Sequence, residues 1–234
     1  MNKEYAYVGS ELELFSTAHN WKRYWASHII PHLGDTVFDV GAGTGSNVEV
    51  LYRQPARWTC IEPDGALAAQ AKAKITALDC AGNCEVFHGT LADLEPGRSA
   101  DTIIYIDVLE HIEDAHAEMR RASERLRPGG RLIALCPAHP WLFSPFDAAV
   151  GHVRRYTLAS MADTAPDSLT PVSIVYLDSV GLLASAANKM LLKASNPSPK
   201  QIALWDRAMV PCSRIVDKVV GHRIGKSVLG IWQK

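Results

Sequence analysis

The 234-residue sequence is short of cysteine: five are present, and no two are spaced as C-x-x-C. An odd count without that spacing argues against a disulfide framework, a zinc ribbon or an iron–sulfur cluster. No apolar run approaches the roughly 18 residues needed to cross a bilayer, and residues 1–15 lack the basic-then-apolar order of a signal peptide. We therefore expect a cytoplasmic protein.

The chain also lacks a large net charge, since its formal charge is −1. With 24 Lys and Arg against 25 Asp and Glu, the chain lacks the basic excess typical of nucleic-acid binders, and we expect no nucleic-acid partner. The balance hides an asymmetry, because residues 151–234 carry a net charge of +6 and residues 1–150 a net charge of −7. The basic part is either a surface that meets an anionic partner, such as a membrane surface, or a solvated helical face.

What is present is an alternation of short apolar runs with longer, helically spaced stretches. The short runs predict strands and the longer stretches predict helices. The predicted strands are residues 36–40, 58–62, 85–88, 101–107 and 131–136, and the predicted helices are residues 45–52, 65–78 and 113–126. This alternation is typical of a parallel sheet covered on both faces.

The flanking segments differ from this core. Aromatic residues at helical spacing predict an N-terminal helix over 11–32. After the core we expect a loop over 138–156, a helix over 158–163, strands over 172–178 and 227–233, and one or two helices over 181–222 broken near 196–199. The sequence thus predicts one domain with three parts: a helical cap (1–34), a core (35–138) and a substrate-side part (139–234) with a helical insertion before the last strand.

The most informative stretch is V-F-D-V-G-A-G-T-G-S-N at residues 37–47. An apolar strand runs into three glycines and then a helix, so that a ligand can lie directly against the main chain. The dinucleotide fingerprint requires a glycine where this sequence has Ser46, which makes a pyrophosphate site the weaker interpretation. Glu62 ends the second strand, 21 residues after Gly41, where an acid can accept both hydroxyls of a ribose.

These motifs resemble those of the class I S-adenosylmethionine (SAM)-dependent methyltransferases. The resemblance covers roughly residues 36–138, and it includes C-I-E-P-D-G-A-L (60–67), G-T-L-A-D-L (89–94), D-V-L-E-H-I-E-D (107–114) and R-P-G-G-R-L-I-A-L-C-P (127–137), in the family's order. It implies an α/β Rossmann-like fold, with a seven-stranded sheet whose last strand is antiparallel, and SAM as the cofactor.

The resemblance also implies most of the cofactor site. The residues assigned to SAM are Gly41, Ala42 and Gly43 in the loop, Glu62 and Pro63 at the ribose, Gly89, Thr90 and Leu91 at the adenine, and Asp107 at the methionine part. We expect Asp39 to support the glycine loop by accepting its main-chain N–H groups. Trp21 and Tyr24 are either core residues or a lid over the cofactor.

One position departs from the family pattern. Many members carry an acid after the glycine at position 89, and this acid accepts a hydrogen bond from the adenine amine. This sequence has Thr90 there. The contact with adenine therefore passes to the Thr90 hydroxyl or to the Leu91 amide.

The chemistry is expected at the carboxyl ends of the strands, where open α/β sheets bind ligands. His111 and His152 are the candidate general bases, since imidazole suits proton transfer near neutral pH. The residues assigned to the substrate are Arg154, Arg155, Tyr156 and Trp141. Adjacent arginines can bind a phosphate or carboxylate. Alternatively, His111 only orients its loop or contacts the cofactor, and the arginines pair with Asp147.

The string S-P-F-D-A-A-V-G-H-V-R-R-Y-T (144–157) resembles a signature of a bacterial subgroup of these enzymes. Many members of that subgroup accompany glycosyltransferases and the assembly of surface polysaccharides or lipids. The resemblance implies methyl transfer to a hydroxyl or amine of a small, anionic, sugar- or lipid-linked acceptor. The alternatives are another SAM-dependent reaction, such as cyclisation, and a non-catalytic SAM-binding module.

A metal site is not expected from the sequence. His28 and His32 are four residues apart, but Pro31 and the end of the helix lie between them, which is a poor arrangement for two ligands. A NAD(P) dehydrogenase is disfavoured by Ser46 in the glycine loop.

Overall fold

The structure is a computed structural model of the chain that describes residues 15–53, 56–78, 80, 82–189 and 198–234. Its centre is a seven-stranded sheet in the order β3-β2-β1-β4-β5-β7-β6. The strands are Thr36–Val40 (β1), Arg57–Glu62 (β2), Cys84–His88 (β3), Ala100–Ile106 (β4), Leu126–Pro137 (β5), Thr170–Leu177 (β6) and Ser227–Gln233 (β7). Strands β1–β5 pair in parallel, and β7 runs antiparallel to β5 and β6. The predicted Rossmann-like sheet is confirmed.

The strand order reverses at β1, because β2 pairs on one side of it and β4 on the other. Val40 at the end of β1 is in register with Ile61 of β2 and Tyr105 of β4. A crevice opens at such a point, outside the carboxyl ends of the strands. The glycine loop leaves β1 into this crevice.

Helices cover both faces of the sheet. They are His19–Ile29 (α1), Ser46–Leu51 (α2), Gly65–Ala77 (α3), Ala115–Arg125 (α4), Pro145–Ala149 (α5), Leu158–Thr164 (α6), Ser179–Ala187 (α7), Pro199–Leu204 (α8) and Val210–Val219 (α9). Side chains that accept from free backbone N–H groups fix several helix starts: Asp64 caps α3, Asp114 caps α4, and Ser144 forms a capping box with Asp147 at α5.

Alternation along the strands divides the apolar residues between two cores. Val37 packs with α1 on one face of the sheet, and its neighbour Phe38 packs on the other face with α4. Both side chains are almost completely buried. No helix in the described residues is both long and apolar enough to span a membrane.

The structure differs from the sequence prediction at two places, and two predicted segments lie partly outside the described residues. Helix α4 ends at Arg125, and β5 already begins at Leu126, because residues 127–130 lie alongside the ends of β4 and β7. The expected loop over 138–156 contains α5. Of the predicted N-terminal helix, residues 11–14 lie outside the described part of the chain, as do residues 196–197 of the predicted break.

Candidate active site

The glycine loop after β1 takes its shape from hydrogen bonds to β2. The N–H groups of Gly41 and Ala42 both donate to the carbonyl of Ile61, at 2.8 and 3.2 Å. Gly41 has a φ of +67°, and a Cβ at this position would lie 2.6 Å from Cγ2 of Val108. Glycine alone fits both the conformation and the space. The loop therefore presents bare main chain to the crevice.

Glu62 lies beside this loop at the end of β2. Its Oε2 accepts from Gly43 N–H at 2.7 Å, its Oε1 accepts from Asp64 N–H at 2.9 Å, and the residue is 5% exposed. Burial raises the pKa of Glu62, and the two backbone hydrogen bonds oppose that effect. Each carboxylate oxygen can accept a second hydrogen bond, which the predicted ribose contact requires.

Asp39 does not support the loop in the predicted way. Its Oδ1 accepts from the side-chain amide of Asn47 at 3.0 Å, and the residue is completely buried in β1. The loop N–H groups go instead to Ile61 and Glu62, because β2 lies closer to them along the sheet edge. The predicted main-chain contacts of Asp39 are therefore wrong, and its carboxyl ties α2 to β1.

The segment after β3 uses Thr90 for its own turn. The backbone N–H and the hydroxyl of Thr90 both donate to Oδ2 of Asp93, at 2.8 and 2.6 Å, and this capping box starts a short helical turn. Gly89 N–H donates to the carbonyl of Glu62 at 3.0 Å, and Leu91 is completely buried. Sequence reasoning missed Asp93, although the T-x-x-D spacing signals such a box.

Asp107 follows β4 in a strained and exposed position. Its φ is +55°, and its N–H donates to the carbonyl of Leu135 at 2.8 Å. Positive φ values are uncommon outside glycine and concentrate at functional sites. The next residue, Val108, lies against Gly41. Asp107 is thus next to the glycine loop, where the methionine part of SAM is expected.

His152 is oriented by a buried carboxylate. Its Nδ1 lies 3.0 Å from Oδ1 of Asp147, and this oxygen also accepts from Arg155 Nε at 2.8 Å. Oδ2 of Asp147 accepts from Ser144 N–H at 2.8 Å. Burial opposes ionisation, but the hydrogen bonds from His152, Arg155 and Ser144 hold the pKa of Asp147 well below its usual range. An ionised carboxylate only accepts, so Nδ1 carries the proton and Nε2 presents a lone pair.

His111 packs edge-on against this imidazole, with ring centroids 4.7 Å apart. Burial, together with His152, lowers the pKa of His111 to about 4, so the ring is neutral at pH 7. The preceding residue, Glu110, is completely buried, and its Oε1 lies 4.0 Å from His152 Nε2. Burial, and then the charge of Asp107, raise the pKa of Glu110 well above its usual value.

These three residues form a group that can hold a metal ion. Glu110, His111 and His152 each offer one ligand atom, and these atoms lie within 4.8 Å of one another. Two imidazoles and a carboxylate are typical ligands of catalytic zinc. No local sequence pattern predicts this group, because it forms only when the segment after β5 folds back over the end of β4. Val153 N–H donates to the carbonyl of Glu110 at 2.8 Å.

Two of the predicted substrate residues have structural contacts instead. Arg155 is bound to Asp147 and to the carbonyl of Ala138, and its side chain is 12% exposed. Tyr156 is 2% exposed and donates its hydroxyl to the carbonyl of Leu109 at 3.1 Å. We therefore correct both assignments: Arg155 holds the Asp147 carboxylate, and Tyr156 belongs to the core beneath the site.

The other predicted residues stay candidates. Arg154 donates to the carbonyl of Glu113, and Trp141 is 51% exposed beside His139. Trp21 packs against Trp205 with ring centroids 5.8 Å apart, as the core interpretation of the N-terminal aromatics expects. Tyr24 is also buried, with its hydroxyl donated to Asp217 at 2.8 Å.

Lys226, which the sequence analysis missed, lies at the same edge of the sheet. Its backbone joins Asp178 and Ala138 through hydrogen bonds of 3.0 and 2.8 Å, and its Nζ lies 4.5 Å from the ring centroid of Trp205. Burial lowers the pKa of Lys226, whereas the charges of Asp178, Asp107 and Asp147 raise it. Within the described residues the ammonium has neither a hydrogen-bond acceptor nor an ion-pair partner. It is a cation available to a ligand.

Comparison with protein families agrees with this geometry. A family model described as a methyltransferase domain matches residues 38–132. This range includes the glycine loop, Glu62 and the segment from Asp107 to His111. Residues 38–132 are therefore similar to a methyltransferase domain, as the predicted SAM site expects.

Two curated relatives of the chain are named as methyltransferases of quinone compounds. The demethylmenaquinone methyltransferase of Tropheryma whipplei (strain Twist) is 29% identical over 142 residues, which are 58% of this chain and 55% of that protein. The ubiquinone biosynthesis O-methyltransferase of Albidiferax ferrireducens is 33% identical over 110 residues, 45% of this chain and 42% of that protein. The chain thus spans about half the length of these relatives.

A solved structure shares the fold over nearly the whole of this chain. It is the geranyl diphosphate C-methyltransferase from Streptomyces coelicolor A3(2), in complex with Mg²⁺, geranyl diphosphate and S-adenosyl-L-homocysteine. The TM-score is 0.63 at 18% identity, covering 96% of this chain and 86% of that one. At this identity the likeness shows the fold.

Proposed function

We propose that the chain transfers the methyl group of SAM to a hydroxyl or amine of a small acceptor that carries a negative charge, with sugar- and lipid-linked acceptors included. The observation that carries the proposal is the Asp147–His152 pair, held at 3.0 Å at the carboxyl edge of the sheet with His111 against it. The relative named as a ubiquinone biosynthesis O-methyltransferase supports oxygen as the methylated atom.

The pair is arranged to take a proton from the acceptor. Because the Nδ1–H of His152 is donated to Asp147, its Nε2 accepts the hydroxyl proton. The acceptor oxygen then bonds to the methyl carbon while the bond from that carbon to the sulfonium sulfur breaks. The products are the methyl ether, S-adenosylhomocysteine and one proton. The remaining task of the protein is to hold oxygen, carbon and sulfur in line and to exclude water.

Lys226 favours an anionic acceptor. Its ammonium lies at the edge of the sheet next to the proposed reaction site, half-buried over Trp205 and without a carboxylate partner among the described residues. A carboxylate or phosphate of the acceptor would pair with it. The geranyl diphosphate methyltransferase shows that a related fold accommodates a phosphorylated acceptor.

We expect Lys226→Gln to raise the KM for the acceptor at least tenfold and to leave the Kd for SAM unchanged, with Lys226→Arg closer to wild type.

Methyl transfer is tested by incubating the protein with a bacterial extract and SAM labelled in its methyl group. We expect S-adenosylhomocysteine to accumulate and the label to appear in an anionic small molecule, both detected by mass spectrometry.

Loss of the general base costs about 10²–10⁴-fold in rate. His152→Ala should therefore reduce turnover by at least about 100-fold, with SAM binding by calorimetry unchanged.

The matched control is His116→Ala, because His116 is an exposed imidazole on α4. This variant should retain full turnover. A protein that binds SAM but forms no S-adenosylhomocysteine with any extract fraction is a binding module, and a labelled product without S-adenosylhomocysteine would indicate another reaction. Either result contradicts the proposal.

The basic C-terminal part supports contact with an anionic lipid surface, which a lipid-linked acceptor would require. On α9, Ile215 is 69% and Val219 is 82% exposed, and Arg214 and Lys218 lie between and beside them. Exposed apolar and basic side chains on one helix suit an anionic interface. We expect sedimentation with phosphatidylglycerol vesicles that salt weakens. Equal sedimentation with phosphatidylcholine, or no loss in an Ile215→Ser, Val219→Ser variant, would contradict this contact.

A further inference from the structure

We propose that Glu110, His111 and His152 bind one divalent transition-metal ion, such as Zn²⁺ or Mn²⁺, on the acceptor side of the methyltransferase domain. The three ligand atoms lie within 4.8 Å of one another. Glu110 and His111 come from the end of β4, and His152 comes from the segment that folds back over it. The site is thus assembled by the tertiary fold at the edge where the reaction is expected.

The first argument is the state of the Glu110 carboxyl. The residue has no exposed surface, and neither oxygen has a conventional hydrogen-bond partner in the described part of the chain. The Cys136 thiol beside it is only a weak donor. Buried polar atoms in folded proteins are almost always satisfied, and an exception points to an ion or water. A cation between Glu110 and His152 satisfies this carboxylate.

The second argument is the orientation of the two imidazoles. Asp147 contacts His152 at Nδ1, with Oδ1 at 3.0 Å, which leaves Nε2 on the side of Glu110, with the Nε2–Oε1 distance at 4.0 Å. His111 hydrogen-bonds to the backbone of Gly151. Histidines that bind metals usually donate their other ring nitrogen to a carboxylate or a backbone carbonyl. Both rings therefore have the outer contacts that fix a metal-binding tautomer.

The dimensions fit an ion after a small adjustment. Metal bonds of about 2.0–2.2 Å place neighbouring tetrahedral ligand atoms about 3.3 Å apart. The observed separation of 4.0 Å between Glu110 Oε1 and His152 Nε2 has to shorten by about 0.7 Å, and the widest separation in the group, at most 4.8 Å, by about 1.5 Å, through rotation of the three side chains. Three protein ligands leave at least one position open, as in catalytic zinc sites.

The ion alters how the acceptor loses its proton. With the ion bound, an acceptor hydroxyl in the open position would be acidified by the metal and would release its proton to solvent, while His152 would serve as a ligand; without the ion, His152 accepts the proton directly, as in the proposed function. The oxygen then bonds to the methyl carbon as the carbon–sulfur bond breaks. This role rests on the proposed function, whereas binding of the ion does not.

The test is calorimetry with the full chain after removal of metal by a chelator, using ZnCl₂ and MnCl₂ as probes. We expect one site per chain. Loss of an outer contact alone weakens metal binding by about 10–100-fold, so loss of a ligand in Glu110→Gln or His152→Ala should weaken it by about 100-fold or more. The ligand-field absorption of Co²⁺ should likewise require both residues.

Two controls separate this site from surface binding. His116→Ala removes an exposed imidazole, and His28→Ala removes a ring that lies 5.3 Å from His222 and offers a competing pair. Neither should change the high-affinity site. Glu110→Gln keeps the shape of the side chain, and a wild-type melting temperature for the metal-free variant confirms that it folds.

Specific outcomes overturn the proposal. Metal binding that is absent at millimolar concentration, or unchanged in both Glu110→Gln and His152→Ala, rules out the site. Full methyl transfer by metal-free protein removes the ion from the reaction and leaves the proposed function standing, with His152 as the direct base. Absence of methyl transfer from protein that binds the metal would contradict the proposed function alone.

Discussion

At the scale of single residues, Glu62 uses both carboxylate oxygens on the backbone N–H groups of Gly43 and Asp64. The same oxygens are expected to accept the ribose hydroxyls, so one charge both shapes the loop and binds the cofactor. In Glu62→Gln an amide group replaces one oxygen and meets an N–H donor. Two hydrogen bonds to a charged group contribute about 1.5 kcal/mol or more each. We expect the Kd for SAM, measured by calorimetry, to rise about 100-fold.

The control for this prediction is Glu49→Gln on α2. Glu49 lies in the helix that follows the loop and pairs with Lys74 at 3.4 Å, with its side chain 44% exposed. Its substitution removes a negative charge near the site without touching the loop and should leave SAM binding unchanged. A Kd for Glu62→Gln within threefold of wild type would remove Glu62 from the cofactor site.

Asp39 predicts a pH dependence of stability. Burial raises the pKa of its carboxyl to about 7, while the hydrogen bond from Asn47 partly offsets this effect. Because the folded-state pKa lies above the unfolded value, the folded state binds the proton more tightly, and this contribution is lost as the pH rises through about 7. Three pKa units correspond to about 4 kcal/mol. We expect the free energy of unfolding in urea to fall as the pH rises from about 4 to about 7, and to fall less in Asp39→Asn.

Asp163→Asn is the matched control, since Asp163 is exposed on α6. Its free energy of unfolding should depend on pH as that of the wild type does, because the carboxyl that it removes is exposed and Asp39 is still present. The same slope in Asp39→Asn as in wild type would show that Asp39 is ionised in the folded protein across this range.

At the scale of elements, the β1–α2 turn depends on a contact between Gly41 and the residue after Asp107. A Cβ on Gly41 would lie 2.6 Å from Cγ2 of Val108, at a φ of +67°. A left-handed conformation costs a non-glycine residue about 1–2 kcal/mol, and overpacking adds about 1–3 kcal/mol. We expect Gly41→Ala to lower the free energy of unfolding in urea by about 2–5 kcal/mol and to weaken SAM binding.

Gly97→Ala separates the two costs. Gly97 has a φ of +87°, but a Cβ there meets no atom within 4 Å. This variant should therefore show only the conformational cost. Adding Val108→Ala to Gly41→Ala should recover part of the loss, whereas the same addition to Gly97→Ala should not. Equal losses in Gly41→Ala and Gly97→Ala would contradict the contact.

Strands β1 and β5 show which parts of the fold the sequence predicts and which parts it does not. Strand β1 matches its predicted residues 36–40, because a buried strand followed by glycines is a local pattern. Strand β5 begins five residues before its predicted start at residue 131, because the loop-like R-P-G-G stretch is paired there: Gly129 N–H donates to the carbonyl of Lys234. Long-range pairing overrides a local turn signal there.

The residues of the candidate site also divide into those that local sequence patterns predict and those that only long-range contacts bring together. The glycine loop and Glu62 are predictable because each sits at the end of its own strand. The contact between Glu110 and His152 forms across 42 residues of sequence, and Lys226 joins the site only through its hydrogen bond to Ala138 after β5. No local periodicity encodes either contact. Arg155 is the opposite example, because the sequence analysis already contained its pairing with Asp147 as an alternative to a substrate contact. The structure has this pairing.

At the scale of the whole molecule, one buried carboxylate joins distant parts of the chain. Asp217 on α9 accepts from the Tyr24 hydroxyl on α1 at 2.8 Å, and from the N–H groups of Asp178 and Ser179 after β6 at 2.7 and 2.9 Å. It is completely buried. The N-terminal helix, the helical insertion and the end of β6 therefore share one acceptor. Lys226 donates its backbone N–H to the carbonyl of Asp178, which links this junction to the acceptor side of the site.

Removal of that acceptor should loosen the three segments together. Asp217→Ala leaves three donors without a partner, and each buried unsatisfied group costs about 1–3 kcal/mol. We expect the free energy of unfolding in urea to fall by at least about 3 kcal/mol. Tyr24→Phe removes one of the three hydrogen bonds and should cost about 1 kcal/mol. Because both variants break the same bond, the double variant should be less destabilised than the sum of the two. Strict additivity would show that α1 is held to the insertion by apolar packing, without the shared carboxylate.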